Sequence, residues 1–162
     1  MNAPKPVRYW IRDEIEDIIK EYNINRNNFY EYSKFGYKDI IRKFADNFAD
    51  QSKTRGFDLH YCWLDLKKDL QKSEPITEYN MSWTDFLRKV KESIPVANDD
   101  KFYMILSQGW VYEGCLNEIF AVLNETTGNL ADFYIVSRKF DWFVCYCSDG
   151  NVSIFYSKKE KI

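Results

Sequence analysis

The stretch at 131–157 constrains the fold most, because it predicts three consecutive antiparallel strands: ADFYIVSRKFDWFVCYCSDGNVSIFYS. Asp149-Gly150 lies between two β-rich runs, and this dipeptide is typical of a type I′ turn, which needs φ > 0 at both central residues. Arg138-Lys139 marks a second, weaker turn between the first two runs. Two tight turns between three β-rich runs indicate a meander, and the rest of the chain is expected to cover it.

The middle run of this meander is apolar on both faces. Alternate side chains of a strand point to opposite sides of the sheet. One set is Phe140, Trp142, Val144 and Tyr146, and the other is Phe143, Cys145 and Cys147. A strand with two apolar faces is predicted to lie centrally, with both faces covered.

Helical spacing dominates the N-terminal part of the chain. Residues 8–24 predict an amphipathic helix, and a second helical region is predicted at 28–51 with a break near Gly36. The apolar row of the first helix is Ile11, Ile15, Ile18, Ile19 and Tyr22. Residues 57–70 fit either a short strand with a turn or helical tail, or a helix, and 71–80 are typical of a loop.

The C-terminal half has clearer signals. Ser82 and Asp85 form a capping pattern that begins a helix. A strand KFYMILS, a short strand WVYEG and a helix at 115–126 then precede the meander. The fold class is therefore α+β, with N-terminal helices packed on a mostly antiparallel sheet and the order β-β-α-β-β-β in the C-terminal half. We predict one domain at 1–162, with a helical cover at 1–52 and a sheet-containing part at 57–157.

Composition excludes several classes of protein. Aromatic residues make up 18% of the chain, which excludes disorder because disordered chains are poor in aromatics. The net charge is −2 without a concentrated basic field, so we expect no nucleic-acid partner. No run approaches the ~20 apolar residues that span a bilayer, so we expect no membrane association. Four cysteines without a C-x-x-C pair predict free thiols in a cytoplasmic protein.

The sequence contains no pattern of an enzyme active site. Its single histidine, His60, is accompanied by no G-x-S-x-G elbow, and its glycines form no phosphate-binding loop. The cysteine spacing matches no zinc pattern, so neither a metal nor a cofactor is predicted. Four carboxylates flank the predicted sheet: Glu113, Asp132, Asp141 and Asp149. They could converge as an acid–base pair, although solvated strand ends are the commoner explanation.

The aromatic excess indicates a binding surface. Tyrosine and tryptophan combine a large contact area with a polar group and are enriched at protein interfaces. We predict a contact patch around the strand-edge residues Trp110, Tyr112, Glu113 and Tyr134. Acidic neighbours would suit a basic partner. The alternative for any one of these residues is a place in the core, with its polar group reaching the edge.

Three segments of the C-terminal half form a recognisable pattern: SWTDFLRKV, WVYEGCLNEIFAVLNE and DFYIVSRKFDWFVCYC. A Trp-led helix, a strand, a YEG motif with a helix, and a YIVS–K–DW hairpin follow one another at 82–147. This pattern resembles a bacterial family of small domains of unknown function. That family is similar to small immunity proteins that neutralise toxins in bacterial competition. The resemblance implies a fold more than an activity, and it carries over no catalytic residue.

Our leading hypothesis is a cytoplasmic, non-enzymatic protein-binding domain of a bacterium, of the kind that binds and blocks a toxin. The alternative is a small-molecule-binding domain or minor enzyme with a pocket between the sheet and the helices, using Glu113 or Asp141 with tyrosines. A third hypothesis is a structural subunit whose apolar face is covered by its own copy. The oligomeric state does not follow from the sequence.

Overall fold

The computed structural model describes residues 10–33, 35–50, 66–95, 101–126 and 130–158. Within these residues the chain forms helices and one antiparallel sheet, which confirms the predicted α+β class. The helices are α1 (Ile11–Glu21), α2 (Tyr37–Phe48), α3 (Trp83–Glu92) and α4 (Leu116–Glu125). The strands are β1 (Phe29–Glu31), β2 (Gln71–Lys72), β3 (Ile76–Thr77), β4 (Lys101–Leu106), β5 (Val111–Cys115), β6 (Phe133–Ser137), β7 (Trp142–Cys147) and β8 (Val152–Ser157).

The sheet places the predicted meander at its centre. Its strand order is β1-β5-β4-β6-β7-β8-β2, and β3 also pairs with β8. The order β-β-α-β-β-β in the C-terminal half is confirmed by β4, β5, α4, β6, β7 and β8. β7 lies between β6 and β8, and all its residues after Trp142 are buried. The prediction of a central strand covered on both faces is therefore confirmed.

The turn between β7 and β8 is present, but its predicted type is wrong. A type I′ turn would need φ > 0 at both Asp149 and Gly150. The loop at 148–151 instead places Asn151 in the left-handed region, with φ 49°. Four-residue hairpin loops are most often built on a type I turn, whose two central residues have negative φ. The longer loop therefore moves the positive φ to Asn151.

Phe140 does not belong to the middle strand, contrary to the predicted alternation. It lies in the first meander turn with φ 57°, and its N–H donates to the Ser137 carbonyl at 2.9 Å. The turn predicted from Arg138-Lys139 is thereby confirmed. The Phe140 ring stacks on Tyr103 at 5.7 Å between ring centroids, in the core under α2. A left-handed conformation is unfavourable for a bulky residue, so we attribute it to the burial of this ring.

The two faces of the sheet have separate cores. α1, α3 and α4 cover one face, and α2 covers the other. The buried residues of α1 are Ile11, Ile15, Ile18 and Ile19, as the apolar row predicts. Tyr22, the last predicted member of that row, is 50% exposed and donates to Glu125 Oε2 at 2.8 Å. Because α1 ends at Glu21, Tyr22 no longer follows the helical spacing.

The predicted helical region at 28–51 is wrong in its first part. Phe29–Glu31 form β1, and α2 begins only at Tyr37. β1 pairs with β5 at one end of the sheet, where Phe29 lies opposite Gly114. Three residues are too few for alternation to predict a strand, so pairing with β5 determines the conformation here.

The predictions for 57–70 and 71–80 have different outcomes. Residues 57–65 lie outside the described residues, and Leu66 forms an antiparallel bridge with Ala49. The loop predicted at 71–80 instead contains β2 and β3, which both pair with β8. Strands of two residues have no periodicity, so the pattern of the sequence could not reveal them.

The other elements agree with the sequence. Ser82 Oγ accepts a hydrogen bond from the Asp85 N–H at 3.1 Å, which confirms the cap that begins α3. β4, β5 and α4 lie where they were predicted. None of the helices in the described ranges is long and apolar enough to cross a membrane. The division of the domain at 1–52 and 57–157 stays a prediction.

Candidate functional site

The four residues of the predicted contact patch lie in different environments. Trp110, just before β5, is half-buried between the two cores. Tyr112 (2% exposed) and Glu113 (6% exposed) are neighbours on β5 and therefore face opposite sides of the sheet. Tyr134 is fully buried, with its ring centroid 5.3 Å from that of Phe44. The structure brings Trp110 and Tyr112 close to α1 and separates the other two from them. Their role in binding stays a prediction.

Four residues from separate parts of the chain meet at the β1 end of the sheet, and we call Arg12, Glu31, Tyr37 and Trp110 the Glu31 cluster. Glu31 Oε1 accepts hydrogen bonds from Arg12 Nε, at 2.8 Å, and from the Tyr37 hydroxyl. The Arg12 guanidinium lies over the Trp110 ring at 5.6 Å, and the Tyr37 ring meets that ring edge-on at 6.1 Å. The cluster therefore joins the starts of α1 and α2 to β1 and to the segment before β5.

Both donors to the Glu31 carboxylate are protonated near neutral pH. The hydrogen bond and the charge of Glu31 raise the pKa of Arg12. Burial raises the pKa of Tyr37 well above its usual range, and the hydrogen bond to Glu31 adds to this effect. Neither donor loses its proton near neutral pH, so the cluster is a fixed arrangement of donors and acceptor.

The YEG motif of β5 holds β1 against the sheet. Tyr112 stacks on Phe29 with ring centroids 5.2 Å apart, and Glu113 accepts a hydrogen bond from the Tyr30 hydroxyl on the opposite face. At Gly114, an added Cβ would lie 2.6 Å from the Asn28 carbonyl oxygen. Such a contact is too short for any side chain, so glycine is required for β1 to approach this closely.

A cleft of about 190 Å³ lies where α1 passes β1 and β5. Its walls contain two ion pairs, Arg12 with Glu31 at 2.8 Å and Arg26 with Glu16 at 2.6 Å. Tyr112 also lines the cleft, and no hydrogen bond joins its hydroxyl to another described residue. The full lining is Arg12, Asp13, Glu16, Ile19, Arg26, Tyr30, Glu31 and Tyr112.

On the other face of the sheet, Glu113 lies between two tyrosines. Tyr30 on β1 and Tyr103 on β4 are its partners in register. Burial, followed by the hydrogen bond to Glu113, raises the pKa of Tyr30 to about 12. Lys101 Nζ lies 3.4 Å from the Tyr30 hydroxyl and 4.8 Å from the centre of its ring. Tyr30 is therefore a neutral donor that holds the Glu113 carboxylate.

The carboxylates that flank the sheet do not gather around Glu113. Tyr103 of β4 pairs with Glu113 on one side and with Val136 of β6 on the other. The β6 residue in register with Glu113 is therefore Val136 and not Asp132. Asp132 Oδ1 accepts hydrogen bonds from the Ser148 N–H at 2.8 Å and from its hydroxyl at 2.9 Å, which fixes the β7–β8 turn. Asp141 and Asp149 are exposed. Among the residues described, no three His, Cys, Asp or Glu side chains are grouped as metal ligands would be.

Two exposed aromatic residues that the sequence analysis did not predict as contacts lie close in sequence to members of the Glu31 cluster. Trp10 is 50% exposed and lies two residues before Arg12, and Phe35 is 100% exposed and lies two residues before Tyr37. Composition shows that aromatics are abundant, but it cannot show which rings face water. In the structure both residues precede the first helical residue, but the predicted helical regions at 8–24 and 28–51 include them, so the sequence offered no signal of their exposure.

Comparison with known proteins identifies the family of this chain. A model described as a family of unknown function, DUF6756, matches residues 8–162. No curated protein and no solved structure matches the chain. The match confirms that the chain belongs to a family of unknown function, and it extends beyond 82–147 to nearly the whole chain, including α1 and the Glu31 cluster. It gives no support for a similarity to immunity proteins.

Proposed function

Because this chain belongs to DUF6756, a family of unknown function, we propose its function from its own surface: a non-enzymatic domain that binds another protein. In this proposal the contact surface is centred on Trp10 and Phe35, which precede Arg12 and Tyr37 of the Glu31 cluster by two residues each. We further propose that the partner is a bacterial toxin in the cytoplasm, which the bound domain blocks. Charged side chains of both signs and neutral tyrosines lie at this end of the sheet, and they would form a polar rim around the aromatic anchors.

The exposure of Trp10 and Phe35 beside a fixed cluster carries this proposal. Tryptophan and other large side chains dominate binding energy at protein interfaces, and rigid surroundings reduce the entropy lost on binding. Hydrogen bonds to Glu31 and ring contacts to Trp110 fix the first turns of both helices. An exposed aromatic residue is common by itself, but two beside one fixed cluster favour an interface.

The double variant Trp10→Ser and Phe35→Ser is expected to weaken binding of the partner by about 2–4 kcal/mol, because two anchors are removed. Its stability should change little, since both rings are exposed and serine is favoured at the N-cap position that Trp10 occupies before α1. The measurement is affinity capture from bacterial lysates with mass spectrometry, in which wild-type and variant proteins serve as baits.

The control bait is Tyr79→Ser, which removes another exposed aromatic residue, 81% exposed, from a distant surface beside β3. We expect a stoichiometric partner to be retained by the wild type and by this control and lost by the double variant. Equal capture by all three baits would contradict the proposed surface.

A second candidate function, binding of a small molecule, is favoured by one observation. An open depression of about 660 Å³ lies between β3 and the β7–β8 turn, which is within the ~300–1,000 Å³ typical of ligand sites. It is lined by Thr77, Glu78, Tyr79, Met81, Gly150 and Asn151. A thermal shift with a metabolite panel tests this candidate, and a shift that disappears in Tyr79→Ser would support it over the protein-binding function.

A further inference from the structure

The cleft beside α1 is lined by Tyr112, whose hydroxyl has no hydrogen-bond partner among the described residues. Tyr112 is 2% exposed, and its ring is held by stacking on Phe29. The hydroxyl is not one of the enclosed polar atoms without a partner among the described residues, so it is accessible from the cleft that Tyr112 lines. A molecule that enters the cleft can therefore donate a hydrogen bond to this oxygen, and the ring that carries it is already held in place.

The walls of the cleft favour a cation. Three carboxylates and two guanidiniums line it, which leaves one negative charge in excess. Both guanidiniums are already bonded, Arg12 to Glu31 and Arg26 to Glu16. Asp13 is exposed and has no ion pair with another described residue, so its carboxylate is available at the rim. Burial raises the pKa of Tyr112. The negative charges of these carboxylates raise it further, that of Glu31 most and that of Asp13 less.

The cleft has a volume that fits one side chain of a partner protein rather than a whole ligand. Its volume of about 190 Å³ is below the ~300–1,000 Å³ of sites for small molecules and cofactors. A long, narrow group suits it better: an aliphatic stem against Ile19 and a charged head toward Tyr112 and the carboxylates. Lysine and arginine have this form.

We propose that this cleft receives one basic side chain, lysine or arginine, presented by the bound protein. The head of the side chain donates to the Tyr112 hydroxyl, and the Asp13 carboxylate balances its charge. This inference rests on the proposed function, because the side chain belongs to the partner. Since Trp10 and Arg12 lie within one turn of the start of α1, the anchor surface and the cleft are adjacent.

Arginine capped by acetyl and amide groups is the probe, and the equally capped citrulline is its neutral control of the same shape. In an NMR titration of the whole chain, we expect saturable shifts at Tyr112 and Ile19 with arginine, and binding at least about tenfold weaker with citrulline. Tyr112→Phe and Asp13→Asn should each raise the dissociation constant for arginine, by about tenfold and about threefold. Asp17→Asn, on the same helix but outside the cleft, should leave it unchanged.

Equal binding of citrulline, no saturable shift with arginine, or arginine binding unaffected by Tyr112→Phe would overturn the inference. Tyr112→Phe removes only a hydroxyl that bonds no described residue, so a failure to fold is not expected. The proposed function has a separate readout. Trp10→Ser with Phe35→Ser should abolish capture of the partner and leave arginine binding intact. If capture depends on those two rings and arginine does not bind, the cleft inference fails and the binding function stands.

Discussion

Replacing Phe44 with alanine is expected to lower the free energy of unfolding by about 3–5 kcal/mol. Phe44 is fully buried under α2, with its ring 5.3 Å from Phe48, 5.3 Å from Tyr134 and 5.0 Å from Phe143. Removing it leaves a cavity bordered by α2, β6 and β7, and a close-packed core closes such a cavity only in part. Urea unfolding followed by tryptophan fluorescence measures the change.

Phe35→Ala is the matched control for this variant, because it removes the same ring from a fully exposed position. Its stability should remain within about 0.5 kcal/mol of the wild type. A loss below about 1 kcal/mol for Phe44→Ala would show that the core under α2 is not packed as described. It would also return Tyr134 to the candidates for a surface role.

Replacing Gly114 with alanine is expected to lower the free energy of unfolding by about 2 kcal/mol, because β1 must move away from β5. The new Cβ would lie 2.6 Å from the Asn28 carbonyl oxygen and 2.9 Å from Phe29 Cδ2. The movement would also separate Glu31 from Tyr112, so binding of capped arginine should be lost. Unfolding and the NMR titration measure the two effects.

Gly150→Ala is the control for a glycine whose added Cβ would meet a single side-chain atom and no backbone atom. Its Cβ would lie 3.3 Å from Val152 Cγ1 in an exposed turn, and the position does not have a positive φ. We expect a change within about 0.5 kcal/mol. If Gly114→Ala behaved in the same way as this control and still bound arginine, then close approach of β1 would not define the cleft.

The parts of the fold that could be predicted are the long, periodic ones. α1 buries residues at helical spacing over eleven residues, β7 is apolar on both faces over six residues, and α3 adds a cap at Ser82. β1, β2 and β3 have two or three residues each, too few for a period. Their conformation is determined by pairing with β5 and β8, and no local pattern in the sequence predicts that pairing.

The candidate site was predicted only in part, for a related reason. The aromatic excess predicted Trp110 and Tyr112 as contact residues, and both lie at the β1 end of the sheet beside α1. Tyr134 was predicted as a contact residue from the same aromatic excess. It is fully buried, since its strand is central and α2 covers that face of the sheet. Only packing separates exposed rings such as Phe35 from buried ones. The ion pairs of the cleft join residues from distant parts of the chain, which no local pattern could reveal.

The most direct test of the proposed function is a titration of the captured partner's toxic activity with this protein. If the domain is an immunity protein, activity should fall to zero at one equivalent of the wild type. The Trp10→Ser and Phe35→Ser variant should need at least about thirtyfold more, the equivalent of about 2 kcal/mol. Full activity of the partner at saturating wild-type protein would contradict the toxin-blocking function, and equal inhibition by the variant would contradict the surface assigned to it.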